Sequence, residues 1–225
     1  MSTDLPALAA AYGTPLYVYD GALIRRRYRA LLGCFEWPVR LFYAMKANYH
    51  PAILRILREE GASIDAVSPG DVLLALKCGF APDQVLFTAN RTTEEEMKLV
   101  CDLGVLCNLG SLSQLRKFGA AHPGTRVCIR LNPQVVAGEN EFVSTAGENN
   151  KFGIAIERMG EILELVRQFD LKVVGFHEHT GSGIPESVHM KQGAGNLLAA
   201  VDPTDFPDLE FVDFGGGFRV PYRDE

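Results

Sequence analysis

Short apolar runs rich in β-branched residues alternate along this sequence with longer segments whose apolar residues recur at helical spacing. After a short apolar stretch at Leu16–Tyr19, the pattern predicts a helix from Gly21 to about Leu32 and a strand over Val39–Ala44. A helix over His50–Glu59, a strand over Ser63–Val67 and a helix from Pro69 to about Cys78 follow. Val85–Thr88 reads as the next strand. Thr93 then opens a helix whose Thr-Glu-Glu-Glu start supplies a capping box and an acidic first turn. Strand Val105–Asn108, helix Ser111–Phe118 and strand Arg126–Leu131 come next. A polar connection from Asn132 to Asn150 leads to a helix over Ile156–Phe169, and Lys172–His177 and Glu210–Phe214 are the last two strands.

Strands alternating with helices imply βαβ units and a parallel sheet. Seven strands are counted from Val39 onward in a chain of 225 residues. A closed barrel has eight strands and typically takes ~250 residues. The expected fold class is therefore α/β, a (β/α)8 TIM barrel that is incomplete, with about seven strands. An open doubly wound sheet is the alternative, but no G-x-G-x-x-G follows the first strand, which favours the barrel. With no internal repeat, low-complexity tract or clear linker, residues 1–225 are expected to form one domain.

Composition changes this picture little: 47% hydrophobic and 22% charged residues suit a globular enzyme. The net charge of -6, with both signs scattered, leaves no concentrated basic face for nucleic acid or an anionic membrane. Five cysteines (Cys34, Cys78, Cys101, Cys107 and Cys128) make an odd set without C-x-x-C spacing, so neither a disulfide framework nor a zinc site is suggested. They read mostly as small buried hydrophobes. Met1–Tyr12 lacks the features of a secretory signal, and no apolar run approaches the ~20 residues of a membrane span, so a cytoplasmic protein is expected.

Chemistry concentrates at three strand ends. Lys46 follows the apolar run Phe42–Ala44, and in a barrel the C-terminal strand ends face the active site. On a desolvated wall such a lysine can act as an amine nucleophile; snorkelling at a strand end is the plain alternative. The second element, His177-Glu-His-Thr-Gly-Ser-Gly183, directly follows a strand. Histidines at alternate positions point the same way, which admits a metal site, although Glu178 would point away from both. Gly181, Ser182 and Gly183 are better explained as an anion cradle, with a flat imidazole to stack on a flat aromatic cofactor. A glycine turn beside a satisfied histidine is the plain alternative. In the third, Asp213-Phe-Gly-Gly-Gly-Phe218, three consecutive glycines allow backbone amides to approach a phosphate, or simply make a tight turn. Two glycine loops on neighbouring strands point to a single phosphate, close to where barrels commonly bind one.

These motifs carry a resemblance. Tyr43-Ala-Met-Lys-Ala-Asn48 resembles the Schiff-base motif of the fold-type III pyridoxal-phosphate decarboxylases, which share the alanine-racemase-like barrel. The family includes diaminopimelate, ornithine and arginine decarboxylases. His177–Gly183 is similar to the histidine and phosphate-loop motif of the diaminopimelate branch, and Asp213–Phe218 to its glycine-rich phosphate loop. Asp65-Ala-Val-Ser-Pro-Gly70, Arg130-Leu-Asn-Pro133, and Ser144-Thr-Ala-Gly147 leading into Asn150-Lys-Phe-Gly153 agree as well. The resemblance implies pyridoxal 5'-phosphate as cofactor, with Lys46 holding it covalently and later acting as acid or base. It implies that His179 stacks on the pyridine face. Gly181, Ser182, Gly183, Gly215, Gly216 and Gly217 would hold the phosphate. Arg130 would sit near the phenolic oxygen and Asp65 beside the Schiff base; His177 supports His179. No metal is implied. The implied reaction is decarboxylation of a small amino acid, meso-diaminopimelate to L-lysine first among them, in a homodimer.

The sequence also departs from the family pattern. Members continue with a Glu-Pro-Gly-Arg element at an eighth strand and a β-rich second domain bearing a Cys-Glu-Ser-type segment, none of which has a counterpart here. The expectation is a cofactor-binding portion that decarboxylates poorly alone. Rival readings are a non-catalytic or regulatory relative, a decarboxylase of ornithine, arginine or a carboxylated polyamine, and a racemase of the same fold.

Overall fold

The computed structural model describes residues 4–135 and 152–220. The motif Ser144–Gly147, with Asn150 and Lys151, lies outside them. Two helices, α1 (Leu5–Tyr12) and α2 (Gly21–Leu32), precede the sheet. Strands β1 (Phe42–Ala44), β2 (Ser63–Ala66), β3 (Val85–Phe87), β4 (Leu106–Leu109) and β5 (Arg126–Asn132) alternate with α3 (Pro51–Glu59), α4 (Pro69–Lys77), α5 (Glu94–Asp102) and α6 (Leu112–Ala121). The two-residue β6 (Ile154–Ala155), α7 (Met159–Phe169), β7 (Lys172–His177), α8 (Ser187–Ala200) and β8 (Phe211–Asp213) complete the order.

The helices start where capping side chains stand. Ser68, Thr93 and Ser111 each accept a main-chain N–H of the first turn, and Glu96 returns the bond to Thr93 as the capping box predicts. In α3 the apolar positions Ile53, Leu54 and Leu57 fall on one face and are buried.

Seven parallel strands run in the order β1-β2-β3-β4-β5-β7-β8, and β6 adds to β5. This is the sequential order of a βαβ barrel wall, bent round so that helices cover the outside. The middle strands are buried throughout (all of β3, and β7 from Val173 onward), as parallel strands covered on both faces must be. One contiguous core runs from Met45 to Phe206, including Phe118 of α6 and Phe176, whose ring meets Phe206 edge-on at 4.8 Å.

The strand reading matches the seven-strand path, with no end shifted by more than three residues. Three elements were not anticipated: α1, β6 and the 14-residue α8. Of the cysteines, Cys78, Cys107 and Cys128 are buried, Cys101 is intermediate and Cys34 is exposed.

Candidate active site

The strand register decides which side chains meet. Arg130, His177 and Asp213 are direct partners across β5, β7 and β8, at the C-terminal end of each strand. Asp65 pairs with Ala44, and Lys46 follows in the short 3-10 turn Met45–Ala47. The sheet thus gathers residues that lie 167 positions apart in sequence, from Lys46 to Asp213, around one mouth.

The grouped residues act on one another's charge. Burial pushes the Asp65 carboxyl up to about 6, opposed by a hydrogen bond from Thr88 and reinforced by Asp213, with Lys46 and Arg130 pulling it down. Burial likewise raises Asp213, against a hydrogen bond from the Gly215 N–H at 2.8 Å and the Arg130 charge. Arg130 is only 8% exposed and lies 5.2 Å over the Phe152 ring, with Asp65, Glu178 and Asp213 around it. Both histidines are held neutral. Burial drives His179 down to about 3, and Arg130, His177 and Lys46 add to it. His177 is lowered as well, by burial first and then by Arg130 and Lys46, and its Nδ1 is buried without a partner among the described residues.

The two glycine loops lie against each other. Ile184 and Phe218 form a parallel bridge, with Ile184 N–H donating to the Gly217 carbonyl at 2.8 Å, so pairing continues past the ends of β7 and β8. Gly217 has φ +97°, and a Cβ there would overlap the Gly181 carbonyl oxygen. A Cβ added to Gly215, at φ +66°, would come within 2.5 Å of the Glu178 carbonyl oxygen and 3.0 Å of His179 Nδ1. The Gly216 N–H points at His179 Nδ1 over 3.4 Å, so that nitrogen is the acceptor. Gly181 is buried, Gly183 half-buried and Ser182 exposed.

Among the described residues, the structure brings Lys46, Asp65, Arg130 and His179 to one end of the sheet, with the two glycine loops against His179. It adds residues that sequence reasoning passed over. Thr88, hydrogen-bonded to Asp65, also accepts from Asn108 Nδ2 at 3.3 Å, which makes a polar line across the ends of β2, β3 and β4. Asp213 closes the ladder beside His177. The available signal was a polar residue ending an apolar strand. The arrangement offers an amine, a guanidinium, a neutral imidazole and an amide-lined cradle, which together suit a ligand with a carbonyl, a flat ring and a phosphate.

Comparison with known proteins agrees with this geometry. Residues 21–225 match the family described as pyridoxal-dependent decarboxylase, pyridoxal binding domain. A diaminopimelate decarboxylase of Methanothermobacter thermautotrophicus is 41% identical over 99% of this chain and 54% of its own length. A crystal structure of diaminopimelate decarboxylase superposes with a TM-score of 0.87 at 35% identity, covering 98% of this chain and 52% of that one. The Helicobacter pylori diaminopimelate decarboxylase, crystallised with L-lysine, gives a TM-score of 0.90 at 25% identity, over 99% of this chain and 59% of that one. The chain spans about half the length of these relatives.

Proposed function

From a chain that belongs to the pyridoxal-dependent decarboxylases, through their pyridoxal-binding domain, we propose that this site carries pyridoxal phosphate for decarboxylation of an amino acid, meso-diaminopimelate to L-lysine. The observation that carries the reading is the convergence of Lys46, Arg130 and His179 on two interlocked glycine loops. The residues fit the cofactor: a side chain at Gly217 would fill the cradle, the imidazole of His179 is neutral, and Arg130 is a buried cation beside it.

In this reading Lys46 Nζ tethers the cofactor and afterwards carries a proton to and from the reacting carbon. His179, kept uncharged, stacks on the ring without adding a positive charge, while its Nδ1 stays occupied by the Gly216 N–H. The Gly181–Gly183 loop and Gly217 would offer N–H donors to the phosphate, while the Gly215 and Gly216 N–H groups, which donate to Asp213 and His179 here, would have to turn from those acceptors to join them. Arg130 holds positive charge among three carboxyl groups and orients the oxygen-bearing edge of the ring, with Asp65 beside the Lys46 amine. Bound there, pyridoxal phosphate supplies a carbonyl that captures amines and an electron-poor ring that takes up the electron pair released as carbon dioxide departs.

The test is carbon dioxide release from carboxyl-labelled substrates by the cofactor-loaded protein in its full-length form. Release from meso-diaminopimelate above that from ornithine and arginine supports the assignment. Release from ornithine or arginine in preference moves it to a sister substrate, and racemisation without release overturns it. The family assembles as a homodimer in the same proposal, which sedimentation of the full-length protein checks.

A further inference from the structure

The loop that carries His179 has a second side, turned away from the site. Side chains alternate about extended backbone, so His177 and His179 face the site while Glu178 and Thr180 face α8. Both are fully buried, at 0% exposure, and Thr180 Oγ1 donates to Glu178 Oε2 at 2.9 Å. Gly193 of α8 lies directly on the pair: a Cβ there would overlap the Thr180 hydroxyl and meet the two Glu178 carboxyl oxygens at 3.4 and 3.5 Å. Glu178 Oε1 has no hydrogen-bond partner among the described residues. For packing alone, two apolar side chains of the same shape would serve as well or better.

The pair instead brackets the residue that matters. The Glu178 N–H donates to the Asp213 carbonyl at 2.9 Å, and its own carbonyl lies against Gly215. The backbone on either side of His179 is therefore held from the front by the β8 loop and from behind by the bond between residues 178 and 180.

We propose that Glu178 and Thr180 are a positioning pair, whose hydrogen bond behind His179 holds its ring toward the cofactor and aims the Gly181–Gly183 amides at the phosphate. This deepens the pyridoxal-phosphate reading and rests on it. The pair also makes the cradle sensitive to pH. Burial pushes the Glu178 carboxyl up to about 7, with Asp213 raising it and the Thr180 bond and Arg130 lowering it. The charged groups around it are Arg130 from β5 and Asp213 from β8; from α8, His189 shares the Gly193 face one turn earlier. Ionisation places a buried negative charge behind a phosphate site, so cofactor affinity falls as pH rises through 7.

Three variants test this: Thr180→Val and Glu178→Met keep volume without the bond, and Glu178→Gln keeps an acceptor for Thr180 without a titrating group. Amide hydrogen exchange is read on the cofactor-free protein, and pyridoxal-phosphate affinity by fluorescence from pH 6 to 8. The first two variants are expected to speed exchange at residues 179–183 and to weaken cofactor binding by about tenfold, beyond what the fall in melting temperature from an unpaired buried group accounts for. Glu178→Gln is expected to stay within about threefold of the parent at pH 7, with a flatter pH profile. Exchange and affinity unchanged in the first two, or affinity falling only in step with melting temperature, would overturn the proposal. A parent protein that binds no pyridoxal phosphate would defeat the functional reading instead, and the exchange pattern would still decide whether the pair orders the loop.

Discussion

Lys46 is exposed at the mouth of a site whose guanidinium and histidines are buried or half-buried, so it is reachable by an aldehyde and replaceable without opening the core. Lys46→Ala is expected to leave the melting temperature within about 1 °C while cutting covalent cofactor attachment to the background of surface lysines; melting and absorbance read the two. Gly217→Ala should do the reverse of a neutral change. It forces a side chain into φ +97° and into the Gly181 carbonyl, so destabilisation of about 2 kcal/mol or more and loss of phosphate-dependent binding are expected in denaturant melts and cofactor titration. The buried acids set a pH trend. Glu178 rises from 4.5 to about 7 and Asp65 from 3.8 to about 6, so the folded protein favours their protonated forms. Their contribution to stability is full below about pH 4 and is lost as pH rises through 6 and 7. Cofactor-free stability should therefore fall between pH 4.5 and 7.5, by roughly 3 kcal/mol from Glu178 alone, and Glu178→Gln should flatten that slope.

At the scale of elements, what the sequence discloses follows the strength of each local signal. Strand β7 is read with its observed ends because Lys172 opens it, small and apolar residues fill Val173–Phe176 and a histidine closes it. Helix α5 is found from its capping box, and its Thr93–Glu96 bonds are present at 3.2 and 2.9 Å. Helix α8 is missed for a physical reason: it holds Gly193 and Gly195, has no side-chain cap and buries only Gly193 and Leu197. Its glycine serves close approach to Glu178 and Thr180, and a helix that packs by small size leaves no apolar stripe to read. Helix α1 buries nothing, and β6 has two residues, so neither has a pattern to detect. The α6–α7 pair shows the same use of glycine. A Cβ on Gly119 would run into the Phe169 ring and its Cβ, so Gly119→Ala should destabilise by about 1–3 kcal/mol in denaturant melts despite alanine's better helix propensity.

Across the whole molecule, the parallel seven-strand path was legible because each βαβ unit is local, and connection rules leave little choice of order. The site was legible only as separate strand ends. Lys46, the 3-10 turn after β1, and Asp213, at the end of β8, belong to opposite ends of that path, and curvature of the sheet brings them under one field. Thr88 and Asn108 meet across neighbouring strands outside every quoted motif, and Glu178 and Thr180, although within His177–Gly183, bond to each other against α8 in a way the motif does not disclose. The measurement that tests the account most directly is borohydride reduction of the protein after incubation with pyridoxal phosphate, followed by peptide mapping in a mass spectrometer. The account predicts one dominant modified peptide carrying the label on Lys46, lost in Lys46→Ala and diminished in His179→Ala. Label scattered over surface lysines, no more selective than in the denatured chain, would contradict it.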